Sequence, residues 1–94
     1  MGIEVISPSH IMTYGGAQLN IYHADARQGL PWHSHAYSHA VICHAGSCKV
    51  RKGEKEVTLK KGSTPINLPA AEPHEIEAVE DGTVFVTVFA EGKY

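Results

Sequence analysis

The chain has 94 residues and a formal net charge of −2. This length suits one domain, residues 1–94, and leaves no room for a second hydrophobic core. The near-neutral charge gives no electrostatic reason to expect nucleic acid as a partner, and no apolar run reaches the roughly 18–20 residues of a membrane span.

Short β-branched and aromatic segments, separated by Gly, Pro and charged turns, predict an all-β domain with a sandwich or barrel architecture. We treat residues 1–14 as an N-terminal arm that could be exchanged in a dimer. A loop is expected at Gly29-Leu30-Pro31 and a hairpin tip at Lys52-Gly53-Glu54. Strands are predicted over residues 18–26, 39–45, 48–52, 56–59, 64–68, 83–90 and from residue 74.

The two cysteines bear on the expected compartment. The amino terminus has no basic leader followed by an apolar stretch, so we expect a cytoplasmic protein. In a reducing compartment Cys43 and Cys48 should be free thiols, and their spacing is not that of a Cys-x-x-Cys motif.

Histidines form the most informative pattern. His33 and His35 have the same parity in an extended strand, as does His39, and His74 lies on a separate predicted strand. Imidazole nitrogen is the commonest protein ligand for divalent transition metals. The pattern therefore predicts that these four side chains share one metal ion.

Two segments resemble the motifs of the cupin superfamily. The run from Trp32 to His39, followed by Gly46, resembles the first cupin motif, and the stretch from Gly62 to His74 resembles the second. The resemblance covers about residues 17–90 and implies a jelly-roll β-barrel, also called a double-stranded β-helix. It also implies that His33, His35 and His74 are metal ligands and that His39 replaces the family's Glu.

The sequence departs from the family pattern at four positions. Arg27 stands where the first motif begins with Gly, and Ala71 stands where the second has Gly. Pro69 lies one residue late, and Ala78 replaces the closing Asn. We expect these changes to affect local turns more than the ligand set.

The replacement of Glu by His39 has chemical consequences. Four neutral imidazoles leave the metal's charge uncompensated, so the centre should attract small oxygen-bearing anions such as carboxylates or enolates. His39 could alternatively hydrogen-bond a ligand or orient one of the other histidines. An all-nitrogen site suits Mn, Fe, Co, Ni, Cu or Zn, and affinity order alone does not select among them.

Strand parity suggests which other side chains line the barrel. Val41, Cys43, Ile76 and Ala78 should face inward, and His44 outward. In strand 83–90 either the face with Phe85, Thr87 and Phe89 or the face with Val84, Val86 and Val88 must line the barrel.

Further expectations concern single residues. Tyr22 and Tyr37 are candidate acids or hydrogen-bond donors. Trp32 is expected at the barrel mouth or at a subunit contact, and His10 and His23 are expected to be structural or solvent-facing.

Three functions are compatible with these features. The first is a metal-dependent enzyme acting on a small oxygen-bearing organic anion, by dioxygenase-type or isomerase/lyase chemistry. The second is a non-catalytic module that binds a small molecule or metal. The third is a purely structural metal that stabilises a small barrel. A homodimer is expected from the resemblance.

Overall fold

The computed structural model describes residues 2–91, which contain ten β-strands and no helix. The all-β prediction is therefore confirmed. The strands are β1 (Glu4–Val5), β2 (His10–Tyr14), β3 (Ala17–Ala24), β4 (Gln28–His33), β5 (His39–Ala45), β6 (Ser47–Lys52), β7 (Lys55–Lys60), β8 (Ile66–Leu68), β9 (His74–Ala78) and β10 (Thr83–Ala90).

The strands form two five-stranded sheets. The first sheet has the order β1-β4-β9-β6-β7, and the second has the order β2-β3-β10-β5-β8. Their inner faces enclose one core, whose largest fully buried apolar side chains are Phe85, Leu68, Ile76, Val41 and Val50. None of the described residues forms a helix that could cross a membrane.

Burial resolves the orientation of the last strand. Thr83, Phe85, Thr87 and Phe89 are buried, whereas the valines between them are only half-buried. The face that carries the two phenylalanines therefore lines the barrel. Parity also predicted the positions on β5 and β9 correctly, since Val41, Cys43, Ile76 and Ala78 are buried and His44 is exposed.

One loop prediction is wrong. Gly29, Leu30 and Pro31 lie within β4, which pairs with β9. Gly29 fits there because a side chain at this position would collide with the backbone carbonyl of Ile76. Pro31 is tolerated because the pairing is irregular between Leu30 and His33, where no ladder hydrogen bond from its nitrogen is required.

The N-terminal arm pairs with strands of its own chain. β1 runs parallel to β4, with Glu4 opposite Gln28 and Val5 opposite Gly29. β2 forms the antiparallel edge of the second sheet beside β3. Whether the arm is exchanged in a dimer remains a prediction.

The outer faces of the two sheets differ in charge. On the first sheet Arg51 of β6 forms ion pairs with Glu56, Glu75 and Glu77 at 2.9, 2.8 and 3.0 Å. On the second sheet the outward positions contain no Asp, Glu, Lys or Arg; we call this surface the uncharged face. It consists of His10, Met12, Tyr14, Ala17, Leu19, Ile21, His23, Ala40, Ile42, His44, Asn67, Val84, Val86, Val88 and Ala90.

Two residues at glycine positions of the cupin motifs adopt a left-handed backbone. Within residues 2–91, Arg27 (φ 73°) and Ala71 (φ 64°) are the non-glycine residues with positive φ. Both stand where the cupin motifs have Gly. This conformation costs a residue with a side chain about 1–2 kcal/mol.

Candidate metal centre

The four predicted histidines come from three strands and one loop of the barrel. His33 ends β4, opposite His74, which begins β9, and His39 begins β5. His35 lies in the loop between β4 and β5, so strand parity is the wrong explanation for its orientation. The backbone holds this loop instead, because the N–H of Ala71 donates to the carbonyl of His35 at 2.7 Å.

Three of these histidines converge. One ring nitrogen from each of His33, His35 and His74 lies within 4.8 Å of the other two. The ring of His33 is 4.7 Å from that of His35 and 4.4 Å from that of His74, measured between centroids. This group could hold a metal ion, as the spacing of the sequence predicted.

Backbone carbonyls fix the tautomers of two members. Nδ1 of His33 donates to the carbonyl of Pro31 at 2.6 Å, and Nδ1 of His74 donates to the carbonyl of Glu72 at 3.0 Å. A carbonyl oxygen can only accept, so each neutral ring carries its proton on Nδ1. The lone pairs of both Nε2 atoms are consequently free for a metal, which is the usual arrangement of metal-binding histidines.

The two free nitrogens face each other. Nε2 of His33 and Nε2 of His74 are 3.1 Å apart, with no hydrogen between them when both rings are neutral. Burial, followed by repulsion from His33, lowers the pKa of His74 to about 4, so this ring is neutral at pH 7. Nitrogens about 2.1 Å from one ion lie roughly 3.0–3.4 Å apart, so the spacing fits a shared metal.

His39 lies beside this group in a different environment. Its Nε2 is 3.3 Å from Nε2 of His74, and its ring stacks on Phe89 with centroids 4.3 Å apart. Nδ1 of His39 is buried and makes no hydrogen bond of ordinary geometry, although the backbone of Ala40 interacts with the ring. Burial and the neighbouring His74 lower its pKa to about 4. His39 can therefore ligate the metal or donate to His74 when no metal is bound.

A cavity of about 280 Å³ opens beside the histidines. Apolar side chains form most of its wall, and no Asp, Glu, Lys or Arg of residues 2–91 lines it. Trp32 stands at this cavity and is 52% exposed, as expected of a residue at the mouth. The lining residues are Val5, Tyr22, Leu30, Pro31, Trp32, His33, His35, His39, Thr87 and Phe89.

The structure separates the two candidate tyrosines. Tyr22 is buried, lines the cavity and stacks on Phe85 with ring centroids 4.8 Å apart. Tyr37 is 45% exposed and does not belong to the cavity wall. Only Tyr22 is therefore placed to meet a ligand in this cavity.

Sequence reasoning missed several contributors to the site. The carbonyls of Pro31 and Glu72 left no signal, because any residue supplies a carbonyl. Val5 and Leu30 were not assigned to the cavity, since one was placed in an exchangeable arm and the other in a loop. Thr87 shared a face with Phe85 and Phe89, but the orientation of that face was open.

The remaining histidines and both cysteines lie outside the group. His10 and His23 are exposed, as expected, and both rings contact the Ser9 hydroxyl. Cys43 and Cys48 are buried free thiols, which confirms that prediction. Burial raises the pKa of Cys48 to about 12, so this thiol stays protonated.

These features define the class of the protein: a small double-sheet β-barrel with a histidine cluster at its cavity. A family model for AraC-like ligand-binding domains matches residues 17–90. The chain therefore belongs to the AraC-like ligand-binding domain family, a family of cupin type. A search of proteins with curated functions found none that matches the chain.

Solved structures support the same fold. A protein from Neisseria meningitidis has a TM-score of 0.76 at 19% identity, covering 94% of this chain and 87% of its own. A cupin-2 domain protein from Shewanella frigidimarina gives 0.73 at 17%, covering 90% and 80%. An RmlC-like cupin with a double-stranded β-helix fold from Methanocaldococcus jannaschii gives 0.71 at 16%, covering 84% and 73%. At such identities the likeness concerns the fold alone.

Proposed function

We propose that the chain binds a small oxygen-bearing organic anion at one divalent transition metal, held by His33, His35 and His74 with His39 as fourth ligand. The facing Nε2 atoms of His33 and His74, 3.1 Å apart with their Nδ1 protons committed to carbonyls, carry this proposal. Without a cation these lone pairs would repel each other. The match to a ligand-binding domain family supports small-molecule binding.

The chain's own residues would orient the ligand. A bound divalent metal would supply a Lewis acid with four neutral ligands, which favours an anion. The apolar wall around Phe89 and Leu30 would exclude water from the ligand's body. The cavity touches His33, His35 and His39 directly, which argues against a metal that is only structural.

Catalysis is the second candidate function. It is favoured by the position of the buried Tyr22 on the cavity wall, where its phenol could donate a proton or a hydrogen bond. No carboxylate of the described part of the chain lines the cavity, so a reaction would depend on the metal for activation of the substrate. Dioxygenase-type chemistry predicts O₂ consumption with diketones or enols in the Fe, Mn or Cu form. Isomerase or lyase chemistry predicts turnover without O₂.

The proposal is tested by metal analysis of protein purified without added metal. We expect His33→Ala and His74→Ala each to lower bound metal well below half occupancy, because each removes a nitrogen whose tautomer is fixed for coordination. His44→Ala is the matched control, since His44 is exposed on the outer face of β5. Full occupancy in either site variant would remove that residue from the centre. His39→Ala distinguishes two roles for His39. If His39 is a metal ligand, the loss of bound metal should be similar to that in His33→Ala; if it only orients another histidine, the loss should be smaller.

We further propose that two copies pair through the uncharged face of the second sheet. A monomer normally covers such a surface with charged residues, as the first sheet does around Arg51. The free thiols of Cys43 and Cys48 also support a reducing, cytoplasmic location.

A further inference from the structure

Two buried side-chain polar atoms make no hydrogen bond of ordinary geometry within residues 2–91. They are Nδ1 of His39 and Oγ1 of Thr87, and both residues line the cavity beside the histidines. An unpaired buried hydroxyl costs about 1–3 kcal/mol. A cost of this size at the wall of a ligand cavity points to a partner that arrives with the ligand.

Thr87 is placed to meet such a partner. It is 1% exposed on the inner face of β10, the central strand of its sheet, between Asn20 of β3 and Val41 of β5. Phe89, two residues further along the same face, stacks on His39. Thr87 therefore lies on the wall that continues from the histidine cluster into the barrel, and its hydroxyl has no partner within residues 2–91.

The other lining residues restrict the ligand's chemistry. The cavity of about 280 Å³ has room for roughly nine water-sized groups. Among residues 2–91 its wall offers no Lys or Arg to pair with a second negative charge such as a phosphate, and no Asp or Glu to pair with an amine. Trp32, Leu30 and Phe89 offer apolar contact to the ligand's body.

We infer that Thr87 recognises the ligand, and that the ligand is a small mono-anionic carboxylate or enolate with an apolar or aromatic body and one hydroxyl or carbonyl group. The anionic oxygen points to the histidine centre, and the second oxygen hydrogen-bonds to Thr87. This inference rests on the proposed metal-dependent binding and adds the substrate class and a specificity residue.

The chain offers a matched pair of threonines for the test. Thr83 lies on the same buried face, but its hydroxyl donates to the carbonyl of Glu80 at 2.7 Å and accepts from the N–H of Ser47 at 3.4 Å. Thr83→Val should therefore lower the melting temperature. Thr87→Val should leave it unchanged or raise it, because the substitution replaces an unpaired hydroxyl with a methyl group.

Binding is measured by calorimetric titration of the Zn²⁺-loaded full chain with benzoate and its three monohydroxy isomers. We expect at least one isomer to bind about tenfold more tightly than benzoate. In Thr87→Val this preference should fall to within about twofold, with benzoate affinity unchanged, and Thr87→Ser should retain it. The inference is wrong if Thr87→Val keeps the preference, if no isomer is preferred, or if no probe binds.

The same titrations separate this inference from the proposed function. If benzoate binds equally well to Zn²⁺-loaded and Zn²⁺-free protein, metal-dependent binding is wrong, while the comparison of isomers in Thr87→Val still answers the question about Thr87. If binding requires Zn²⁺ but no hydroxybenzoate binds more tightly than benzoate, the proposed function is supported and the inferred role of Thr87 is wrong. A loss of stability in Thr87→Val equal to that of Thr83→Val would assign Thr87 a structural role.

Discussion

At the scale of single residues, the histidines show what a motif can and cannot predict. Spacing and the cupin resemblance predicted that His33, His35 and His74 share one ion, and the structure brings one ring nitrogen of each within 4.8 Å of the other two. The role of His39 was not predictable to the same degree, since it depends on whether a carbonyl fixes its Nδ1. That contact depends on the local backbone path before each histidine, and Nδ1 of His39 makes no such hydrogen bond.

The two non-glycine residues with positive φ lead to a stability prediction. Ala71→Gly should raise the free energy of unfolding by about 0.5–1 kcal/mol, because glycine relieves the left-handed strain at more than its cost in chain entropy. Denaturant unfolding of the metal-free protein measures the change. A lower stability would show that Ala71 is not strained.

Gly46 provides the control, because substituting it should change the free energy of unfolding in the opposite direction. It has φ +69°, and a Cβ there would lie 2.8 Å from Cα of Thr83. Gly46→Ala should therefore lower the free energy of unfolding by about 2 kcal/mol or more, from strain and overlap together.

At the scale of elements, sequence patterns predicted most of the strands but not every strand boundary. β5, β9 and β10 follow the predicted alternation, because one face of each strand is buried. Residues 29–31 of β4 are predicted as a loop from the sequence, since glycine and proline usually end strands. Here a close approach to Ile76 requires glycine, and an irregular pairing admits proline. Neither condition can be recognised before the partner strand is known.

The uncharged face makes a prediction about association. Val86→Lys places a charge at the centre of this face, on β10 between Ile21 and Ile42, and should convert a dimer to a monomer at micromolar concentration. Thr58→Glu on the exposed surface of β7 is the control and should leave the mass unchanged. Sedimentation equilibrium measures both. A monomeric wild-type protein, or a dimeric Val86→Lys, would contradict the proposed interface.

At the scale of the whole molecule, the histidine cluster couples stability to pH. The pKa values of His39 and His74 lie at about 4 in the folded state, below the ordinary 6.5, chiefly because both rings are buried. The unfolded chain therefore binds more protons between these values. The free energy of unfolding should be highest above pH 6.5, fall as the pH drops toward 4, and lose no more from these groups below that.

Denaturant unfolding of the metal-free protein at several pH values tests this coupling. His44→Gln, a substitution on the exposed outer face of β5, is the control and should retain the pH dependence. His39→Phe should weaken it, because one of the two buried titrating rings is gone. A stability that stays constant from pH 7 to 4.5 would show that these rings are protonated in the folded protein.

The prediction of one domain follows from the length of the chain, whereas no sequence pattern predicted which surface would pair in an assembly. The ten strands of residues 2–91 enclose one hydrophobic core. The different outer faces of the two sheets become visible only when strand order brings distant segments side by side. Val86 becomes a neighbour of both Ile21 and Ile42 only through β10.

The carbonyls that orient His33 and His74 belong to Pro31 and Glu72, in each case two residues earlier in the chain. Each imidazole is thus aimed by its own short peptide segment, independently of side-chain chemistry in that segment. Substitutions at positions 31 and 72 should therefore leave the orientation of both imidazoles unchanged, provided that the local backbone keeps its path. The orientation of these two rings is thus set by the main chain near each of them, and the pairing of β4 with β9 brings the two rings together.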